Sequence, residues 1–137
     1  MDASLLKCGA VVYPSKIIAH SQGNILHGIK KSSQGYIEFG EAYFSMISCG
    51  EIKGWKKHLR MFMNLLVPVG SICFYLQAEN ESSVEKVVLG DNCYQRLFVP
   101  PGVWMAFEGL GQTANLLLNI ASIEHDPSES LTREFKR

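Results

Sequence analysis

The chain has 137 residues, enough for one domain with a real core and too few for two ordinary ones. Thirteen basic and 13 acidic side chains cancel, so no broad field draws nucleic acid or an anionic membrane to it. At 47% hydrophobic and 19% charged residues the composition is that of a globular protein.

Met1–Gly9 carries Asp2 and Lys7 and has no long apolar run, so no signal peptide is expected. Phe62–Val69 and Leu116–Ile120 are too short to span a bilayer. Cys8, Cys49, Cys73 and Cys93 sit singly, without metal or redox spacing, and read as reduced thiols in a cytoplasmic protein.

Short β-branched and aromatic runs recur along the chain, broken by Gly, Pro, Asn and Asp, the pattern of an all-β sandwich or barrel. Ala10–Tyr13 reads as a strand ended by Pro14, and Ser15–Ile18 resumes extended before a turn at Ser21-Gln22-Gly23-Asn24. Ile25–Ile29 is a strand, Lys30 to Gly35 a polar loop, and Phe39–Ile47 an alternating strand. Gly50–Gly70 reads as two strands with a break between Leu59 and Phe62. Ile72–Gln77, Val84–Leu89, Tyr94–Val99 and Leu116–Ile123 follow as strands, with Pro100-Pro101-Gly102 closing the third of these. The tail from Pro127 to Arg137 is polar, a short helix or a frayed end. About nine strands in a single domain, 1–137, suit a small jelly roll.

Gly50–Gly70, GEIKGWKKHLRMFMNLLVPVG, resembles the first motif of the cupin superfamily, with both glycines in place and His58 at the second His position. Lys56 stands at the first His position and Met63 at the Glu position. Pro100-Pro101-Gly102-Val103-Trp104-Met105 resembles the second motif, with Met105 in place of its His. A lone His cannot hold a divalent ion against water, so neither a metal nor another cofactor is expected.

On a strand Lys56, His58 and Arg60 share one face, opposite Trp55, Lys57, Leu59 and Met61. An inward face with this charge needs an anionic ligand, whereas an outward one is simply solvated; the inward reading is preferred. Asn64 joins that face if the strand is unbroken and leaves it if the chain turns first. Asn119, within LLLNIAS, either ties down a loop or contacts a ligand. His125-Asp126 reads as turn chemistry, and His20 and His27 as incidental.

The chain from Gly40 to Glu129 is similar to the dTDP-4-dehydrorhamnose 3,5-epimerase family. The resembling residues are Gly40-Glu41-Ala42-Tyr43-Phe44-Ser45, Ile52-Lys53-Gly54-Trp55, Pro100–Trp104 and His125-Asp126-Pro127-Ser128-Glu129. The resemblance implies a metal-free cupin jelly roll, a cytoplasmic homodimer, and action on a nucleotide-linked 4-keto sugar for bacterial surface polysaccharide such as lipopolysaccharide. It implies a base, an acid tyrosine and cations for the diphosphate. The family base falls on Lys56 and the acid near Ile123 or Glu124, neither of which is Tyr. Lys56 and His58 are therefore the catalytic candidates, and Lys53, Arg60, Asn64, Trp104 and Asn119 the substrate-binding ones. The alternative is an inactive sugar-nucleotide or carbohydrate binding cupin.

Overall fold

The inward-facing apolar residues of most of the longer strands meet in one core, and a second, smaller cluster gathers Trp55, Trp104 and Ala106. The computed structural model describes residues 2–136; Met1 and Arg137, the ends of the expected 1–137 domain, lie outside them. In chain order the strands are β1 (Ser4–Leu5), β2 (Val11–Pro14), β3 (Ile17–Ile18), β4 (Ile25–Leu26), β5 (Glu41–Met46), β6 (Ile52–His58) and β7 (Met63–Val69). They continue with β8 (Ser71–Ala78), β9 (Glu85–Gly90), β10 (Gln95–Val99), β11 (Val103–Gly109), β12 (Leu116–Ala121) and, after a 3₁₀ turn at Pro127–Glu129, β13 (Ser130–Thr132).

One sheet runs β1-β2-β10-β7-β12-β5 and faces a second, β13-β6-β11-β8-β9; β3 and β4 pair separately. Neighbours in space are mostly not neighbours in sequence, which is the wiring of a cupin jelly roll. Met63, Leu65 and Val67 of β7, Phe74 and Leu76 of β8, and Leu97 and Val99 of β10 point between the sheets and form one buried cluster.

Three sequence expectations are corrected. A strand was not expected at 103–109, yet β11 lies at the centre of its sheet between β6 and β8. Its alternation is hidden because both faces are buried: Val103 and Met105 join the core, while Trp104 and Ala106 join a second cluster with Trp55. The tail opens on the short 3₁₀ turn at Pro127–Glu129 but is not frayed after it, since β13, a strand that was not expected, pairs with β6 from Ser130↔His58 to Thr132↔Lys56. Ser15–Ile18 and Ile25–Ile29 shrink to a two-residue ladder, Ile17↔Leu26 and Ile18↔Ile25. Strand β2 is paired on both sides, by β1 and β10, so it is not a sheet edge.

Gly70 makes the reversal from β7 to β8 possible. Its φ of +81° is left-handed, and a Cβ there would stand 2.0 Å from the Ala114 carbonyl oxygen. The turn is locked by buried Asn115, whose Oδ1 accepts from the Ser71 and Gly111 amides and whose Nδ2 donates to the Ile47 and Gly111 carbonyls. Gly70→Ala should therefore cost about 2–5 kcal/mol, strain plus backbone overlap. Urea unfolding measures it; a loss within error of zero would mean the turn is free to rearrange.

Candidate active site

β5, β6, β7, β11 and β12 enclose a cavity of about 350 Å³ that opens beside β13. Strand β6 supplies its cations. Met105 pairs with Lys56 and Phe107 with Lys53, so Gly54 and Trp55 together stand opposite Ala106. This bulge reverses the alternation, and Lys53, Lys56 and His58 all line the cavity. Gly54 is required there: a Cβ would lie 2.7 Å from the Ala106 Cα, and φ is +121°.

His58 is held from behind. Its Nδ1 bonds the Glu129 Oε1, while Glu129 Oε2 accepts from the backbone N–H of Leu59 (3.1 Å), Arg60 (3.0 Å) and Met61 (3.2 Å). Three successive amides converging on one carboxylate form an anion nest at the β6–β7 turn. Glu129 is only 3% exposed. Burial pushes its carboxyl up, but the His58 hydrogen bond and charge and the Arg60 and Met61 amides outweigh this and hold it below the usual carboxylate range. Because Nδ1 is engaged, Nε2 is the ring nitrogen left for chemistry in the cavity.

The opposite wall carries a second polar pair. Tyr43 on β5 and Asn119 on β12 are direct cross-strand partners. Asn119 Nδ2 donates 2.9 Å to the Tyr43 hydroxyl oxygen, which leaves the phenol proton free to point elsewhere. Burial raises the Tyr43 pKa; the Asn119 bond opposes this and the Glu41 and Glu129 charges reinforce it, so the phenol stays protonated at neutral pH. Asn119 Oδ1 is buried and has no hydrogen-bond partner among the described residues. Met63, Leu65, Met105, Phe107 and Leu117 complete an apolar wall. Thus Lys56, Met63 and Met105, at the positions of cupin metal ligands, all face the cavity. No group of three or more His, Cys, Asp or Glu able to hold a metal occurs among the described residues.

The other sequence candidates separate. Lys53 lines the cavity, donates 2.8 Å to the Met46 carbonyl and lies 6.0 Å from the Phe107 ring. Lys56 lines it too, exposed at the mouth, without a carboxylate partner among the described residues. Arg60 does not face the barrel as expected: the strand ends at His58, and the exposed guanidinium pairs with Asp126 at 3.1 Å. Asn64 faces away, opposite to Met63 and Leu65, and bonds Arg96 and the Gly35 carbonyl. Trp104 also faces away; its Nε1 donates to Glu79, and Lys57 and Arg133 lie over its ring. In both cases strand alternation turns the side chain out.

Glu129, Tyr43, Thr132 and Arg133 were not singled out from the sequence. Tyr43 and Glu129 stand within segments that carry the family resemblance, but Glu129 meets His58 only through 71 residues of intervening fold. Thr132 at the end of β13 and Arg133 just after it reach the mouth, where Arg133 lies 5.0 Å from the Trp55 ring and 4.4 Å from that of Trp104.

Glu129→Gln should lower stability by about 1.5–3 kcal/mol at pH 7, the worth of hydrogen bonds to a charged group. The folded carboxyl is depressed, so its contribution is complete above the ordinary value of 4.5 and is lost as pH falls below it. Urea titrations of both proteins should converge at low pH; a constant difference would show that the charge of Glu129 is not what matters.

No protein-family model matches the chain. It is 23% identical over 118 residues to a probable low-salt glycan biosynthesis epimerase of Haloferax volcanii, covering 81% of this chain and 76% of that one. A dTDP sugar isomerase from Desulfovibrio desulfuricans superposes with a TM-score of 0.86 at 33% identity, covering 92% of this chain and 84% of the other. A sugar 3,4-ketoisomerase from Thermoanaerobacterium thermosaccharolyticum, solved with TDP, gives 0.79 at 19% identity over 92% and 89% of the two chains.

Proposed function

We infer the function from the premise that this chain belongs to the dTDP-sugar epimerase and isomerase family of cupins: it isomerises or epimerises a nucleotide-linked 4-keto sugar. The observation that carries this is the convergence of two pairs, His58–Glu129 and Tyr43–Asn119, on one cavity. His58 Nε2 takes the proton from a hydroxyl-bearing carbon beside the ketone, and the charge formed on the ring is met by Glu129. The electron pair moves into the carbonyl, whose oxygen takes the Tyr43 proton, giving an enediol. Return of a proton from His58 to the former carbonyl carbon, as the neighbouring enol hydroxyl gives its proton to the Tyr43 phenolate, moves the ketone; return of a proton to the original carbon on its other face, as the first enol gives its proton back to Tyr43, inverts that carbon.

Lys53, Lys56 and Arg133 give the mouth a positive field for the diphosphate. Lys56 thus takes a binding role, because it stands exposed at the mouth while His58 is held within the cavity by Glu129. Lys56, Met63 and Met105 at the cupin ligand positions suit chemistry without a metal. A surface glycan as the destination of the product is supported by the relative named for glycan biosynthesis. A cytoplasmic setting suits a nucleotide-sugar substrate and four free cysteines. No helix among the described residues is long and apolar enough to cross a membrane.

In D₂O with a dTDP-linked 4-keto sugar, the wild type should incorporate deuterium beside the ketone. His58→Asn and Tyr43→Phe should each slow this by about 10²–10⁴-fold, the usual worth of a general acid or base. Lys56→Ala should mainly raise KM. If the wild type binds dTDP but exchanges no proton, the chain is a binding protein; if His58→Asn exchanges at the wild-type rate, the base lies elsewhere.

We further infer a homodimer that uses the edge strand β5, where Phe44 is 63% and Met46 68% exposed. Sedimentation should show a dimer at micromolar concentration and a monomer for Phe44→Glu/Met46→Lys. A wild-type monomer would remove this assignment.

A further inference from the structure

The outer face of the six-stranded sheet holds a second cationic cleft, which the proposed chemistry does not use. Along β10, Leu97 and Val99 point into the core and Arg96 points out, opposite Tyr13 of β2. The Arg96 residue is 5% exposed. Its guanidinium lies 4.4 Å from the Tyr13 ring centre, Nη1 donates to Asn64 Oδ1, and Nη2 donates 2.8 Å to the Gln34 carbonyl. All three partners are neutral, and no carboxylate pairs with it among the described residues. A guanidinium cannot discard its charge at neutral pH, so burying it without a counter-ion carries a penalty of several kcal/mol.

Above it lies a cleft of about 230 Å³, walled by residues 14–16 on one side and by residues 27–30 and Ser33 on the other. Lys16 and Lys30 stand exposed on its walls, His27 is half-buried between them, and no acidic residue lines it. Asp2 lines a neighbouring depression that also reaches Arg96 and forms no ion pair with it. Tethering the Gln34 carbonyl and the Asn64 amide accounts for two hydrogen bonds of a five-donor group. It does not account for two further lysines converging on the same space. The barrel is on the other side of β7, whose Met63 and Leu65 face the cavity while Asn64 faces Arg96.

We propose that this cleft binds a small phosphoryl oxyanion, a phosphate or diphosphate group, with Arg96 at its floor and Lys16 and Lys30 at its rim. The guanidinium supplies forked hydrogen bonds and the lysines supply point charges. This site does not depend on the reaction assigned to the barrel.

The test is calorimetric titration of the full chain with inorganic pyrophosphate while saturating dTDP occupies the barrel. The site predicts one equivalent of pyrophosphate bound, weakened at least about tenfold in Lys16→Glu/Lys30→Glu, since each reversal sets a like charge beside the anion. That variant changes only exposed residues, so it should fold and keep wild-type proton exchange in the barrel. A second equivalent of dTDP, lost in the same variant, would identify the anion as a nucleotide's diphosphate; pyrophosphate binding without it would identify a free anion. No binding up to about 10 mM, binding unchanged by the double reversal, or pyrophosphate displaced by the barrel-bound dTDP would overturn the proposal.

Discussion

The carboxylate of Glu129, buried among three backbone amides and one imidazole, is the interaction on which the site depends. It accepts from the Arg60 and Met61 amides at the β6–β7 reversal and shares the Leu59 amide with the Glu129 backbone carbonyl, and so fixes how the chain enters β7. The same carboxylate fixes the ring of His58. Its own position is set by the Pro127–Glu129 turn, capped by Asp126, and by the pairing of β13 with β6. Fold and chemistry share one charged group here. The last strand, which contributes little to the core, is therefore integral to the candidate site.

The rest of the cavity follows from what that pair needs. A base facing a ketone is productive only beside a proton donor, and Tyr43, a phenol that burial keeps protonated, lines the same cavity. Asn119 holds the phenolic oxygen and leaves the phenol proton to the cavity. The apolar wall of Met63, Leu65, Met105 and Leu117 keeps water from competing with these few polar groups. Where other cupins coordinate an ion, this chain places thioethers and an amine. The charge at its mouth suits a diphosphate.

Much of the fold was legible in the sequence, and rather less of the site. The Gly50–Gly70 frame and the break after Leu59 place β6 and β7 correctly because glycine and strand alternation are local constraints. His58, Lys56 and Lys53 were recognisable on the same grounds. The register was not: the bulge at Gly54-Trp55 depends on what β11 presents across the sheet. Strand β11 itself was hidden, because a strand buried on both faces loses its alternation. Arg60 looked like a wall residue only if β6 continued, and the Glu129 nest is what stops it. Asn64 and Trp104 had the right chemistry on the wrong face. Glu129 gave no local signal, since an acid in a Pro-Ser-Glu turn is ordinary until the fold brings it under an imidazole.

The account turns on the tautomer of His58, because only a ring protonated at Nδ1 offers Nε2 as a base. ¹⁵N chemical shifts of the neutral His58 ring report this directly, in the wild type and in Glu129→Gln. The account predicts a protonated Nδ1 and a free Nε2 in the wild type, with that preference lost in the variant. A neutral ring that carries its proton on Nε2 in the wild type would contradict it.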